Sequence, residues 1–374
     1  MKESLKTAIV GVGKVAPLHA AALAKLPQSR FTAVCSTKKE KAEDFARRYG
    51  IKGYTDVAEM VAEEKIDVAV ICTPHPYHKK PAIEAMAAGA HVLIEKPLAS
   101  SLSDCDAMLD AARKYNRQTG VVSQRRWYKP VQRLKAAIDE GKIGKPELGI
   151  VYMLGWRDEK YYASDPWRGS WEGEGGGVLV NQAPHQLDLL QWFMGEIDEL
   201  YGVWENLNHP YIEVEDTALA IMRFKNGALG NIAVSNSQKP GIYGKVHVHG
   251  SNGASVGVQT DGGAMFVAGM SDILEPPVND IWTIPGEEKM LKEMVRKDSE
   301  FFNSLANPIE YFHERQIEDF LNAIIEKRKP LVTGVEGRVT VEIFTAIYRS
   351  ARDKKPVKWP LKPEEKDDFN GRLR

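Results

Sequence analysis

From Thr7 to about Gln124, short apolar, β-branched runs alternate with longer amphipathic stretches. The runs TAIVGV (7–12), FTAVCS (31–36), VAVICT (68–73), HVLIEK (91–96) and GVVSQ (120–124) read as strands. Between them, KEKAEDFARRYG (39–50) and HKKPAIEAMAAG (78–89) read as helices, each ending at a glycine suited to a helix C-terminus. Strand and helix in strict alternation predict a doubly wound parallel sheet. After Arg126 the period changes. YMLGW, DTALAIMRF, ALGNIAVSNS and KVHVHG read as strands, with Asn226-Gly227 and Asn252-Gly253 as tight turns, and predict a second, mostly antiparallel sheet. VNQAPHQLDLLQWFMG (180–195) reads as one helix ending at Gly195, and the chain is helical again from about Tyr311 to Arg352, broken by KRKPLVTGVEG. The predicted fold class is therefore α/β. Residues 1–124 form a Rossmann domain, and residues 125–374 form an α/β domain with a large, mostly antiparallel open sheet whose C-terminal helices pack back toward the first domain. The last residues, KPEEKDDFNGRLR, read as a solvated tail.

With 50 Lys plus Arg against 51 Asp plus Glu, the net charge of −1 supplies no field to recruit nucleic acid or an anionic membrane. Arg125-Arg126-Trp127-Tyr128 interleaves basic and aromatic residues, but with no wider basic surface it reads as the domain junction with one arginine in the cleft. Hydrophobic residues at 43% and charged residues at 27% describe a folded globular chain rather than a disordered one. Cys35, Cys72 and Cys105 are too few and too widely spaced for a disulfide scaffold. No segment approaches the roughly 18 consecutive apolar residues of a membrane span, and the N-terminus lacks a signal-peptide pattern, so a cytoplasmic location is expected.

Gly11-Val12-Gly13-Lys14-Val15-Ala16 is G-x-G-x-x-A between a strand and a helix. The first glycine permits the turn, the second admits a pyrophosphate close to the backbone, and the small third residue lets helix and strand pack. The helix N-terminus then presents amide groups to the anion. About 20 residues on, where an acid holds the ribose of NAD, the chain has Ser36-Thr37-Lys38-Lys39. A hydroxyl followed by cations suits a 2′-phosphate, so the expected cofactor is NAD(P)(H), with NADP favoured over NAD.

Two further segments, VICTPHPYHKKPAIEAMAAGAHVLIEKPLA (70–99) and GGGVLVNQAPHQLDLLQW (175–192), together with GVGKVAPLHAAAL, resemble the glucose-fructose oxidoreductase and inositol dehydrogenase family, often called Gfo/Idh/MocA. The resemblance extends from Thr7 to about Pro360 and implies a nicotinamide-dependent oxidoreductase, with the exposed sheet of the second domain used for oligomer contacts. It implies that Lys96, in Glu95-Lys96-Pro97, matches the family's catalytic lysine and His185 its catalytic histidine. Asp188, one turn further, matches a recurrent acid that orients its neighbours. Thr73, Pro74, His75 and His78 match the segment lining the nicotinamide, and Glu95, Pro97 and Gln124 fall on the cofactor side. Many inositol dehydrogenase-like members carry an acid four residues before the histidine, where this chain has Asn181. Asn cannot titrate but can fix a substrate hydroxyl, so the proton falls to His185 with help from Lys96. Imidazole, with an unperturbed pKa near 6.5, suits a base that takes a carbinol proton, and an ammonium stabilises the developing alkoxide.

The segment 152–177 packs Trp156, Arg157, Tyr161, Tyr162, Trp167, Arg168 and Trp171 with glycines that make it loop-like. Aromatic faces stack on the C–H faces of a sugar or cyclitol ring, while arginines bond its hydroxyls. The expected substrate contacts are Lys96, Arg126, Trp156, Arg157, Tyr162, Trp167, Arg168, Asn181 and His185. Two arginines do not by themselves make a phosphate clamp, which points to an unphosphorylated sugar or polyol. His247-x-His249 lies on one strand face with no third ligand nearby and reads as a sheet-face pair, so no metal is expected. The expected assembly is a homo-oligomer, dimer or tetramer, with neither nucleic acid nor membrane as partner. Two alternatives stand beside the dehydrogenase: a glycoside hydrolase of the same fold that retains its nicotinamide, and a non-catalytic dinucleotide sensor.

Overall fold

The computed structural model describes residues 4–260 and 275–367. Contacts divide the chain into two units: one is 1–124 with 309–338, the other 125–308 with 339–374. Residues 309–338, which the sequence division placed in the second domain, thus cluster with the first.

The first unit is built on six strands, β1 (Leu5–Val10), β2 (Ser29–Cys35), β3 (Lys52–Tyr54), β4 (Val68–Ile71), β5 (His91–Ile94) and β6 (Thr119–Val121), in the order β3-β2-β1-β4-β5-β6. All neighbours are parallel. This is the doubly wound order whose reversal between β1 and β4 opens a crevice at the strands' carboxyl ends. β4 is buried at every position, as a parallel strand covered on both faces must be. The short edge strand β3 is an addition to the five strands expected. One core cluster joins Ile9, Leu23, Val34, Val70 and Leu93 to Ile317, Phe320 and Leu321 from the helix Pro308–Ile325. Gly120 marks that contact: a Cβ there would lie 2.8 Å from the Phe320 ring.

The second unit holds β7 (Pro146–Trp156), β8 (Ile197–Glu205), β9 (Thr217–Phe224), β10 (Leu229–Ser235), β11 (Ser237–Gly250), β12 (Ser255–Thr260), β13 (Val278–Trp282) and β14 (Val357–Lys358). Their order is β13-β12-β11-β7-β10-β9-β8-β14, antiparallel except where β10 runs parallel to β7. One face packs on helices. At Gly149 of β7 the helix Pro184–Met194 comes so close that a Cβ would meet Leu190 at 2.9 Å, and at Gly202 of β8 one would meet Ile347 at 3.1 Å. On the other face Tyr201, Val203, Leu219, Ile221, Leu229, Leu148 and Tyr152 are exposed. β9 shows the rule, its residues alternating between buried and exposed along its length.

Three other expectations change. The 180–195 run is two pieces, Val178–Asn181 and Pro184–Met194, interrupted at Gln182 and Ala183. The loop expected over 152–177 contains short helices at Glu159–Ala163 and Trp171–Glu174. The tail is anchored as far as it is described: Asp367 is buried and accepts from Arg349 Nε at 2.7 Å, and residues 368–374 lie outside the described part.

Candidate active site

In the first unit β1 ends into the glycine turn. Gly11 has φ +99°, and a Cβ on it would lie 2.8 Å from the Cys72 carbonyl group at the end of β4, so both conformation and space demand glycine. At Gly13 the nearest atom to such a Cβ is 3.9 Å away, which keeps the backbone approachable. Lys14 and Val15 complete the turn into the helix Ala16–Lys25, which starts with no side-chain cap and no acid in its first turn. No acid within that first turn offsets its positive end, and the residues fit a dinucleotide diphosphate. After β2, Ser36 and Thr37 carry hydroxyls and Lys38 a cation, the Lys38 amide donating to Ser36 Oγ at 3.4 Å.

The turns after β4 and β5 are stitched by one side chain. His78 is fully enclosed, with Nε2 2.9 Å from the Thr73 carbonyl and Nδ1 3.1 Å from that of Pro97. It thus holds Thr73, Pro74 and the His75–Tyr77 turn against Lys96 and Pro97 rather than facing an open cleft. Glu95 is equally committed. Its Oε1 stands 2.6 Å from His19 Nε2 and its Oε2 accepts from the Lys96 amide at 3.1 Å. Burial alone would lower the His19 pKa and raise that of Glu95. The contacts with Cys72 and Glu95 instead lift His19 to about 10, and His19, His313 and Lys96 hold Glu95 at about 2. His313 stands edge-on to His19 at 5.4 Å and donates Nδ1–H to the Ile309 carbonyl at 2.7 Å. The ligand atoms of His19, Glu95 and His313 lie within 4.8 Å of one another, a spacing that could hold a cation. The 2.6 Å contact is that of an imidazolium–carboxylate pair, in which each ion answers the other.

In the second unit the start of the His185 helix is fixed by buried polar groups. A Cβ on Gly177 would run into the Glu215 carbonyl oxygen. The Glu215 carboxylate accepts from the amides of Gly177 at 2.9 Å and Leu179 at 3.0 Å, and from the Tyr348 hydroxyl at 2.9 Å. Burial pushes this carboxyl up to about 7. Gly177 is thus what lets the chain pass against the β8–β9 connection. Asn181 follows, its Nδ2 donating to Glu174 Oε1 and to the Tyr161 hydroxyl at 3.2 Å. Gln182 Nε2 donates to the same hydroxyl at 2.9 Å, and Asn236 Nδ2 donates to Gln182 Oε1 at 2.9 Å and to the Tyr162 hydroxyl at 3.3 Å. Arg168 also donates to the Tyr161 hydroxyl, and its guanidinium stacks over the Tyr161 and Trp167 rings at 4.3 and 4.5 Å. Arg157 lies 5.3 Å over the Tyr161 ring. His209, enclosed between Asp216 at 2.7 Å and the Arg157 carbonyl at 2.7 Å, packs on Trp156 and Tyr162.

The structure therefore brings Trp156, Arg157, Tyr161, Tyr162, Trp167, Arg168 and Asn181 into one cluster, with His185 on the second residue of the next helix and nearly buried. Because the chain is interrupted at Gln182, Asn181 and His185 do not share one helix face by the i, i+4 rule. Arg126 is a correction. It is fully enclosed, its Nε and Nη2 pairing with Asp188 Oδ2 and Oδ1 at 2.8 and 2.7 Å over the Trp192 ring, so it pins the His185 helix and does not meet a ligand. Gln124 stands at the end of the first unit, in the turn Gln124–Trp127. Glu174, Gln182, His209, Glu215 and Asn236 were not foreseen, although an acid beside a glycine triplet is a visible irregularity. His247 reaches across β12 to Asp280 of β13 at 2.9 Å, and His249 meets Ser255 of the adjacent β12 at 2.7 Å. No described helix is long and apolar enough to cross a membrane.

Profiles of the GFO/IDH/MocA oxidoreductase family match the chain twice, the NAD-binding Rossmann fold over residues 5–123 and the C-terminal domain over 131–256. The myo-inositol 2-dehydrogenase of Thermotoga maritima is 24% identical over 95% of this chain and 98% of its own length. The scyllo-inositol 2-dehydrogenase (NAD(+)) of Bacillus subtilis is 26% identical over 97% of this chain and 98% of its own. Among solved structures, the WlbA dehydrogenase of Bordetella pertussis, in complex with NADH and UDP-GlcNAcA, aligns with a TM-score of 0.79 at 27% identity, covering 96% of this chain and all of that one.

Proposed function

The chain belongs to the Gfo/Idh/MocA family of NAD(P)-dependent oxidoreductases, and from that premise we propose that it interconverts a hydroxyl and a carbonyl on a sugar or cyclic polyol, inositol- or pyranose-like, with Lys96 and His185 as the catalytic pair. The observation that carries this reading is the pinned start of the His185 helix: Asp188 is locked to Arg126 behind it, and Asn181 and Gln182 are held ahead of it by Glu174 and Tyr161. A histidine on a helix start so fixed, three residues after the Gln182 amide, suits ring hydroxyls. Relatives named for myo- and scyllo-inositol support the polyol, and the UDP-GlcNAcA held by WlbA supports a pyranose.

When bound, the nicotinamide exchanges hydride with the carbinol carbon. The chain's residues do the rest. His185 takes the hydroxyl proton in oxidation and returns it in reduction, Lys96 as ammonium stabilises the oxygen as charge develops, and Asn181 fixes a neighbouring hydroxyl. Gly11, Gly13 and Ala16 cradle the diphosphate, while Ser36, Thr37 and Lys38 take the ribose and favour its 2′-phosphate, since no acid stands there to repel it. The open sheet face, with Ile221 at 65% and Leu219 at 51% exposed, is proposed as the contact of a homo-oligomer, dimer or tetramer.

The test is binding of NAD(H) and NADP(H) to the purified protein, followed by nicotinamide absorbance against inositols, aldoses, anhydrosugars, ketoses and UDP-sugar acids. Turnover abolished by His185→Ala supports the dehydrogenase. Tight cofactor binding with product formed and no net change in absorbance turns the reading to a cofactor-retaining hydrolase, and the absence of any binding refutes it.

A further inference from the structure

Glu174 ends the short helix Trp171–Glu174 and is almost wholly buried. Its Oε2 accepts from the Gly169 amide at 2.6 Å and its Oε1 from Asn181 Nδ2. An amide side chain has a donating and an accepting end, exchanged by a half-turn about its last bond, whereas a carboxylate only accepts and a carboxylic acid also donates. We infer that Glu174 is a positioning residue whose buried carboxyl decides which end of the Asn181 amide is turned toward the substrate hydroxyl. This rests on the reading above that Asn181 meets substrate.

With Glu174 ionised, Nδ2 is drawn to it and Oδ1 is turned away, presenting an acceptor. With Glu174 protonated, its O–H donates to Oδ1, the amide turns over and Nδ2 becomes the presented donor. The groups around the carboxyl set where this exchange falls. Burial, helped by the buried Glu215, holds its pKa up at about 7 against the downward pull of the Gly169 amide, Arg168 and Asn181. Tyr161 and Tyr162 face it from the helix Glu159–Ala163. The carboxyl therefore changes charge near neutrality, and the pocket changes its hydrogen-bond polarity with it.

The experiment combines two readouts on the whole protein, with nicotinamide binding as the check that each variant is folded. Carboxyl NMR of 13C-glutamate-labelled protein is titrated with pH, and kcat and KM are measured across the same range on a substrate from the panel. Expected is a resonance that titrates near neutrality, vanishes in Glu174→Gln and moves in Asn181→Leu. Expected too is a wild-type KM that inflects at that pH. Glu174→Gln, which offers a donor and has no proton to lose, gives a KM flat with pH and about tenfold higher on the alkaline side, the worth of one hydrogen bond, with kcat little changed, and Glu174→Asp restores the inflection. A resonance titrating in the ordinary carboxylate range, or wild-type KM and inflection retained in Glu174→Gln, overturns the proposal. If the underlying reading fails, the sign is different: Asn181→Ala leaves KM unchanged, and the proposal falls with it.

Discussion

Replacing Asp188 by Leu strands a guanidinium where water does not reach. Arg126 is fully enclosed, with two charge-assisted hydrogen bonds to Asp188 at 2.7 and 2.8 Å, and Asp188 also accepts from Gln191 at 3.3 Å. Removing one partner of such a pair costs about 3–5 kcal/mol, whereas replacing both by apolar groups of similar volume is close to neutral. At about 2–4 °C per kcal/mol for a domain of this size, Asp188→Leu should lower the melting temperature of the second unit by roughly 6–20 °C. The double variant Arg126→Met with Asp188→Leu should recover most of that loss. Scanning calorimetry on the four proteins of the cycle gives the coupling energy, expected at about 3 kcal/mol. Because Asp188 lies one turn beyond His185, the single variant should also lose kcat while binding nicotinamide as before. A double variant as unstable as the sum of its singles would refute the argument, since the penalty would then come from lost volume and not from the abandoned charge.

Gly177→Ala drives a methyl into the Glu215 carbonyl oxygen and should destabilise the second unit by about 3 kcal/mol or more, read as a loss of soluble protein or of melting temperature. Ser36→Asp places an anion where the ribose is proposed to sit and should weaken NADP by at least about tenfold while sparing NAD, measured by fluorescence titration. Ile221→Lys should shift the mass seen by light scattering to that of the monomer, and an unchanged mass would remove the sheet face from the proposed interface. Glu95, held near 2 by its cationic neighbours, contributes stability that is fully present above its unfolded value of about 4.5 and is lost as pH falls toward 2. His19, held near 10, contributes stability present below about 6.5 and lost as pH rises through 10. Glu95→Gln should therefore melt with less dependence on pH in both windows than the wild type.

What the sequence makes legible is what periodicity and glycine encode locally. The GVGKVA turn and the strands around it follow from short apolar runs punctuated by glycine, because a strand buried on both faces needs nothing but apolar residues. β3 escapes notice because a three-residue edge strand containing Lys52 carries no period to detect. The interruption at Gln182 escapes because the apolar residues on either side of it fall at spacings that one helix also allows. Arg126 reads as a cleft residue because a sequence shows a charge but not its partner, and Asp188 lies 62 residues away. Glu174, His209 and Glu215 fail for the same reason. A buried polar group is defined by distant contacts, and its own neighbours in the chain say little about them.

The core of the cofactor-binding unit is completed from the far end of the chain. Ile317, Phe320 and Leu321 seal a cluster whose other members lie before residue 123, and Phe320 rests against Gly120. Synthesis is directional, so the ribosome makes all six strands of the parallel sheet and then residues 125–308 of the second unit before the wedge that seals the first core emerges. A nascent chain halted short of Pro308 would expose an apolar seam along its dinucleotide fold throughout that delay. The core of that unit thus closes late although its glycine turn is translated well before, and a chaperone that shields the seam would have to act on it throughout the interval.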